Sequence, residues 1–182
     1  MNELGIGLRA QGRLSEAIVV FREGIERFPA EVALHQNLAQ ALYESGDTPQ
    51  AIAAHKRALI LDPKSVASHL ALYEFLQITG EREAALEHQR EALDGTRLFS
   101  HLAAREQRSV LILCAPGDWQ ANIPVDFLFD RTTTSVHKLY LIDLEGLQRD
   151  RLPEYDVIWN AIAESPEAIP YLALAEYILA SQ

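Results

Sequence analysis

Polar side chains that could orient a small ligand are concentrated in two short segments of the second half of the chain. Each segment follows an apolar run, Ser109–Cys114 in the first case and Tyr155–Asn160 in the second. The carboxyl ends of neighbouring parallel strands meet at one edge of a sheet, so hydrogen bonds from both segments would hold a carboxylate or amine substrate there. Taken one at a time, however, these residues are better explained as turn formers. The candidate ligand residues are Asp118, Asn122, Asn160, Glu164 and Ser165.

Histidine, cysteine and glycine spacings predict no further chemistry. His35 and His69 are 34 residues apart, which in a helical repeat places them too far apart to share a metal ion. Cys114 ends an apolar run, so we expect a buried and unreactive thiol. No GxSxG or GxxxxGK[ST] sequence occurs, so neither serine catalysis nor a phosphate loop is supported. We expect no metal, no cofactor and no complete active site in this chain by itself.

The composition argues against several classes of partner. With 16 Lys and Arg against 26 Asp and Glu, the net charge is -10, which repels nucleic acid phosphates. No apolar run has the length of a membrane span, and the first residues do not resemble a secretory signal. The single cysteine excludes an intramolecular disulfide. We therefore expect a cytoplasmic protein that binds neither nucleic acid nor membrane.

The elements that would position any site begin with a 34-residue repeat in the first half of the chain. Recurring glycines permit the left-handed backbone that ends a helix, and recurring alanines let a second helix pack closely on the first. Recurring leucines form an apolar stripe at helical spacing. The series are Gly12, Gly46 and Gly80; Ala17, Ala51 and Ala85; Leu4, Leu38 and Leu72; and Leu8, Leu42 and Leu76.

This pattern predicts three antiparallel helical hairpins over residues 1–30, 31–64 and 65–95. Pro29 and Pro63 end the second helix of the first two hairpins, because proline cannot continue a helix. We expect helices at 2–11, 15–28, 32–45, 49–61, 66–79 and 83–94.

The repeat resembles the tetratricopeptide-repeat family at Leu38, Ala39, Leu42, Gly46, Ala51, Ala58 and Pro63. The resemblance implies an α-solenoid whose concave groove, lined by the first helix of each pair, binds a peptide or a partner domain. Only Asn37 matches the clamp with which some members hold a terminal carboxylate, so we do not expect that mode. A spacer role, or use as a homodimer interface, is an equally open alternative. The groove residues are Arg9, Gln36, Gln40, Tyr43, Glu44, Leu70, Glu74 and Gln77.

The second half of the sequence predicts a small Rossmann-like α/β domain over 108–182, preceded by a capping helix over 96–107. We expect strands at Ser109–Cys114, Val136–Ile142 and Tyr155–Asn160, and a helix at Ile169–Ala180.

A second resemblance, to the α/β domain that precedes an ATP-grasp domain, is carried by Gly117, Asn122, Ile123, Pro124 and Trp159–Ile162. In that family the nucleotide and most of the catalysis belong to the domain that follows, so we expect no ATP-dependent turnover from these residues alone. The sequence thus predicts a protein-interaction scaffold with an accessory, incomplete ligand-binding domain. The alternatives are the N-terminal portion of an ATP-grasp carboxylate–amine ligase and a structural dimerisation module.

Overall fold

The computed structural model describes residues 1–145 and 152–180. The chain divides into two compact units, Met1–Ala92 and Leu93–Gln182. The first is a helical array and the second is built around a sheet. Within the described residues, no helix has the length and apolarity needed to cross a membrane.

The helical unit contains six helices in three hairpins, and each helix begins and ends within one residue of its expected position. This agreement arises because repeat spacing, glycine caps and prolines are local signals. The helices are α1 Asn2–Ala10, α2 Leu14–Arg27, α3 Val32–Glu44, α4 Thr48–Leu61, α5 Val66–Ile78 and α6 Arg82–Gly95.

Glycine ends the first helix of each hairpin in the same way. At the end of α3, Gly46 has a φ of 91°, and its N–H donates to the Tyr43 carbonyl at 2.9 Å. The N–H of Asp47 donates to the Leu42 carbonyl, also at 2.9 Å. These two bonds form a Schellman cap, which requires the left-handed backbone that glycine adopts without strain. Gly12 and Gly80 repeat the arrangement with φ of 74° and 85°.

Small residues let the helices approach each other, and large apolar residues fill the space that remains. Ala17, Ala51 and Ala85 have no exposed surface. A Cβ on Gly5 would clash with the ring of Phe21, which is fully buried. Each fully buried leucine or phenylalanine contributes roughly 2 kcal/mol relative to an exposed one.

The sheet has the order β1-β3-β2-β4, with β2 parallel to both β3 and β4. The expected second strand lies two residues earlier than predicted, the third begins two residues later, and the helix at Ile169–Ala180 is where it was predicted. The elements are β1 Leu98–His101, β2 Arg108–Cys114, β3 Thr134–Tyr140, β4 Val157–Asn160 and α7 Ile169–Ala180.

The capping helix expected over 96–107 is wrong. Helix α6 ends at Gly95, and Leu98–His101 instead form an edge strand, β1, which pairs antiparallel with β3. The pairing sets Leu98 opposite Leu139. Local sequence does not reveal this outcome, because strand formation depends on a partner elsewhere in the chain.

Alternating residues of the central strands supply two separate cores. On one face, Leu111, Leu113 and Leu139 pack in a cluster that includes Ala175 and Ile178 of α7. The other face carries a second cluster. Its fully buried or nearly buried members are Val110, Ile112, Cys114, Val125, Val136 and Ala161.

Candidate functional site

The predicted groove residues all lie on the first helices of the three hairpins, and together they define what we call the first-helix surface. Its members are Arg9 on α1; Gln36, Gln40, Tyr43 and Glu44 on α3; and Leu70, Glu74 and Gln77 on α5.

A hydrogen-bonded trio joins α1 to α3 on this surface. The Arg9 Nη1 atom donates to the Glu44 Oε1 atom at 3.1 Å, and the Gln40 Nε2 atom donates to the same oxygen at 2.9 Å. The Arg9 and Glu44 side chains are partly open to solvent, so this ion pair contributes little to stability. Its main effect is to hold the Glu44 carboxylate in one place.

An aromatic stack joins α3 to α5. The rings of Tyr43 and Phe75 are 4.2 Å apart and inclined at only 21°. Tyr43 is half-buried by this contact, whereas Phe75 is fully buried. Sequence analysis did not single out Phe75, because an apolar residue on a helical stripe gives no signal beyond core packing.

The hydrogen bonds of Gln36 hold neighbouring hairpins together, so this side chain has a structural role and not a role in recognising a ligand. Its Nε2 atom donates to Ser65 Oγ at 2.8 Å and to Ser68 Oγ at 3.0 Å. Ser65 is also the N-cap of α5. The remaining predicted amide, Gln77, donates to the Tyr73 carbonyl at 3.3 Å.

The part of the first-helix surface that a partner could reach therefore presents two carboxylates and an apolar side chain. Glu44 and Glu74 are exposed, and Leu70 is half-buried. Asn37 bonds within the helical unit, since its Nδ2 atom donates to the Asn2 Oδ1 atom at 2.8 Å.

In the sheet unit, the structure brings the two predicted ligand segments together. They follow β2 and β4, which are adjacent in the sheet, and an antiparallel bridge pairs Asn122 with Ile162. The Ile123 N–H donates to the Ala161 carbonyl at 2.6 Å, and the Ala163 N–H donates to the Ala121 carbonyl at 2.9 Å.

The amides and carboxylate of these segments bond to the backbone of the segments themselves. Asn122 accepts from the Ala115 N–H at 2.7 Å and donates to the Ala115 carbonyl at 2.8 Å. Asn160 accepts from the Ile162 N–H at 3.1 Å, and Asp118 accepts from the Gln120 N–H at 2.9 Å. These contacts shape the loops, as expected of turn formers.

The last two predicted ligand residues precede α7. Glu164 is exposed. The Ser165 Oγ atom is buried and has no hydrogen-bond partner within the described residues, while its carbonyl accepts from the Ala168 and Ile169 N–H groups.

A buried histidine network lies on the face of the sheet that α7 covers. The Ser109 hydroxyl donates to the Glu154 carbonyl at 3.0 Å, so its oxygen is free to accept from His137 Nε2 at 3.1 Å. The Ser100 hydroxyl then donates to His137 Nδ1 at 2.7 Å. Burial lowers the pKa of His137. Polar residues at inward positions of apolar strands were the signal that could have predicted this network.

Three histidines of the helical unit, His35, His69 and His88, bond to backbone carbonyls or to each other. His35 and His69 contact the carbonyls of Pro29 and Pro63 at 2.9 Å and 3.1 Å, which are equivalent bonds one repeat apart. His69 and His88 lie with their Nδ1 atoms 2.9 Å apart. In residues 1–145 and 152–180, no three His, Cys, Asp or Glu side chains are grouped to hold a metal ion.

The sequence of the helical unit matches a known family model. Residues 8–73 match the model described as tetratricopeptide repeat. Over these residues the helical unit is similar to tetratricopeptide repeats. No curated protein sequence matches the chain. The resemblance of 109–182 to the domain before an ATP-grasp domain stays a prediction.

Solved structures share the repeat fold. The type III secretion chaperone SycD of Yersinia enterocolitica, in complex with a peptide of the translocator YopD, has a TM-score of 0.50 at 18% identity, covering 51% of this chain and 71% of SycD. The first tetratricopeptide-repeat domain of Spaghetti, bound to an HSP90 peptide, has a TM-score of 0.50 at 20% identity, covering 51% of this chain and 74% of that domain. At these identities the likeness is one of fold.

Proposed function

We propose that the tetratricopeptide repeats bind a basic segment of a partner protein along the first-helix surface. The observation that carries this proposal is the pair of exposed carboxylates, Glu44 and Glu74, on adjacent first helices with Leu70 half-buried on the second of them. A peptide that matches this surface has basic side chains for the two carboxylates and an apolar side chain for the leucine.

Two features of the surface support recognition in preference to mere packing. Arg9 and Gln40 both donate to Glu44, which fixes its carboxylate before a ligand arrives. Preorganised groups lose less side-chain entropy when they bind. The stack of Tyr43 on Phe75 similarly gives the ligand a rigid aromatic edge.

Proteins of the same fold use such repeats to hold peptides. SycD was solved with a YopD peptide and Spaghetti with an HSP90 peptide. For this chain we propose the same use of the fold, peptide binding, but a different ligand, since the side chains at the clamp positions differ.

The test is a screen of the full chain against an arrayed peptide library, followed by fluorescence anisotropy on the hits. We expect the hits to be enriched in Lys and Arg beside an aliphatic residue. The double variant Glu44→Gln with Glu74→Gln should weaken binding about tenfold, because each exposed ion pair contributes up to about 1 kcal/mol.

The matched control is Glu23→Gln with Glu83→Gln, which removes the same charge from the second helices α2 and α6, where both residues are exposed. This control should bind like the wild type. Acid-rich hits, or equal affinity of both double variants, would overturn the proposal. Tyr43→Ala should also weaken any hit, since it removes the aromatic edge.

We also propose that the sheet unit is an accessory Rossmann-like domain. The specific support is that the first of its three parallel strands, β2, lies between the later two, so that the loops after β2 and β4 are adjacent. Ligands of open α/β sheets bind at such a position. Calorimetry with ATP and magnesium separates this role from a nucleotide-binding enzyme: we expect no heat, and saturable binding would favour the ATP-grasp ligase alternative.

A further inference from the structure

An open groove of about 400 Å³ lies between helices α2, α3 and α4, inside the helical unit. Pockets of about 300 to 1,000 Å³ that are mostly apolar with a few polar groups commonly hold small ligands. This groove has that character, because aliphatic side chains and alanines make up most of its lining. The lining residues are Arg22, Ile25, Glu26, His35, Leu38, Leu42, Gln50, Ala53 and Ala54.

His35 borders this groove, and among the described residues its Nδ1 atom has no hydrogen-bond partner. The side chain is 6% exposed, and its Nε2 atom lies 2.9 Å from the Pro29 carbonyl oxygen. A carbonyl oxygen can only accept, so Nε2 carries the proton, and in the neutral ring Nδ1 carries a lone pair. A buried side chain at the groove therefore keeps an unused hydrogen-bond acceptor.

The third hairpin shows which group can meet this acceptor. His69 lies 34 positions after His35 and makes the equivalent bond, from Nε2 to the Pro63 carbonyl at 3.1 Å. The Nδ1 atom of His69 lies 2.9 Å from the Nδ1 atom of His88. Because the lone pair is on His69 Nδ1, the donor of this hydrogen bond is His88 Nδ1. An imidazole N–H thus satisfies the acceptor of the third hairpin.

The second hairpin has an alanine at the position of this donor. Ala54, which lines the groove, lies 34 positions before His88. The same carbonyl bond orients the rings of His35 and His69, so His35 Nδ1 is directed toward Ala54 as His69 Nδ1 is directed toward His88. The methyl group of Ala54 leaves open the space that an imidazole ring occupies one repeat later.

The imidazole that meets the acceptor in the third hairpin is neutral at neutral pH. Burial, together with His69 and Lys56, lowers the pKa of His88 below its ordinary 6.5, although Glu87 and Glu91 act in the opposite direction. A neutral imidazole has one N–H donor and one acceptor nitrogen. The equivalent ligand of the groove is therefore an uncharged ring that offers one N–H group.

A bond across the groove favours a small ligand over a peptide chain. Arg22 Nη2 donates to Gln50 Oε1 at 2.9 Å, which joins α2 to α4. An extended chain laid along the groove would have to displace this bond, whereas a single ring would not.

We propose that the groove binds a small molecule through a neutral imidazole ring, whose N–H donates to His35 Nδ1 and whose face packs on Leu38 and Ala54. The groove shares no residue with the first-helix surface. A ligand here and a peptide on that surface are therefore two different ligands.

The probe is 4-methylimidazole, which has the ring and the first side-chain carbon of histidine. Added to the ¹⁵N-labelled full chain at pH 8.5, where the probe is mostly neutral, it should shift the amide signals around His35 and saturate at about millimolar concentration. The control ligand 1,4-dimethylimidazole has no N–H group and should bind at least fivefold more weakly. N-acetylhistidine N-methylamide carries the same ring on a peptide backbone, and it should bind more weakly than the probe.

Two pairs of variants locate the site. Ala54→His places a ring of the chain itself in the groove and should weaken probe binding at least tenfold, whereas Arg57→His adds an exposed histidine to α4 outside the groove and should not. His35→Phe keeps a ring but removes the acceptor, and it should weaken binding at least fivefold. The same change one repeat later, His69→Phe, should leave binding unchanged. Circular dichroism verifies that the four variants fold.

Three results would overturn the inference. In the first, the probe produces no saturable shifts around His35. In the second, 4-methylimidazole and 1,4-dimethylimidazole bind equally, or Ala54→His binds the probe like the wild type. In the third, the peptide-like ligand binds more tightly than the probe, which would make a histidine of a partner protein the occupant. Glu44→Gln with Glu74→Gln should leave probe binding unchanged, so failure here and failure of the proposed function are distinguishable.

Discussion

At the scale of single residues, the histidines differ in whether their ring nitrogens have hydrogen-bond partners. His35, His69 and His137 have hydrogen-bond partners for their rings. His55 is buried near the ring of Phe75, and neither of its nitrogens has a partner among the described residues. A buried polar group without a partner destabilises the folded state.

The pH dependence of stability tests this placement of His55. Burial lowers the pKa of His55 from its ordinary 6.5 to about 4. At a pH between these two pKa values, His55 is protonated in the unfolded chain but neutral in the folded chain. The free energy of unfolding therefore falls as the pH falls. The loss from this group reaches about 3 kcal/mol.

Urea unfolding of the wild type and His55→Leu between pH 7.5 and pH 4 measures the effect. We expect the variant to be about 1 kcal/mol more stable at pH 7.5, since it removes the unpaired nitrogens. The wild type should then lose more stability than the variant as the pH falls. Parallel curves would show that His55 is not buried in its neutral form.

At the scale of elements, two glycines differ in backbone conformation: one ends helix α3 in the left-handed region, and the other lies inside helix α1. Gly46 follows α3 with a φ of 91°, and Gly7 lies inside α1. A Cβ would meet no atom within 4 Å at either position, so only the backbone distinguishes them.

Substitution by alanine therefore has opposite signs at these two sites. Gly46→Ala should lower the free energy of unfolding by about 1 kcal/mol, because the left-handed region strains an L-residue. Gly7→Ala should raise it by about 0.5 to 1 kcal/mol, because alanine loses less backbone entropy in a helix. Urea unfolding of both variants gives the comparison, and a shared sign would contradict the cap geometry.

At the scale of the whole molecule, each unit has a core of its own. The main cluster of the helical unit comprises buried residues from Leu8 to Ala85, and the clusters of the sheet unit comprise buried residues from Val110 to Ile178. In repeat proteins each hairpin is stabilised mainly by its neighbours along the array.

We expect a fragment of residues 1–95 to fold by itself, because three hairpins bury the main cluster of the helical unit. Far-UV circular dichroism should show a helical spectrum with a cooperative thermal transition. A disordered spectrum would show that the array depends on residues after 95.

The sequence alone determined the helical unit, because its signals are local. A helix is set by hydrogen bonds four residues apart, and each cap is set by the residue that ends it. Gly46 and Pro63 thus placed helix boundaries without reference to the rest of the chain. The same reasoning placed β2 and α7, whose apolar runs have clear ends.

Only the tertiary structure decided which residues meet. Strand β1 forms because Leu98 pairs with Leu139, and His137 is satisfied by Ser100 and Ser109 from two other strands. The different exposures of Leu4 and Leu38 likewise depend on a neighbouring hairpin. Such contacts join residues that are far apart in the chain. The residues next to a side chain in sequence therefore do not identify its partner in the folded structure.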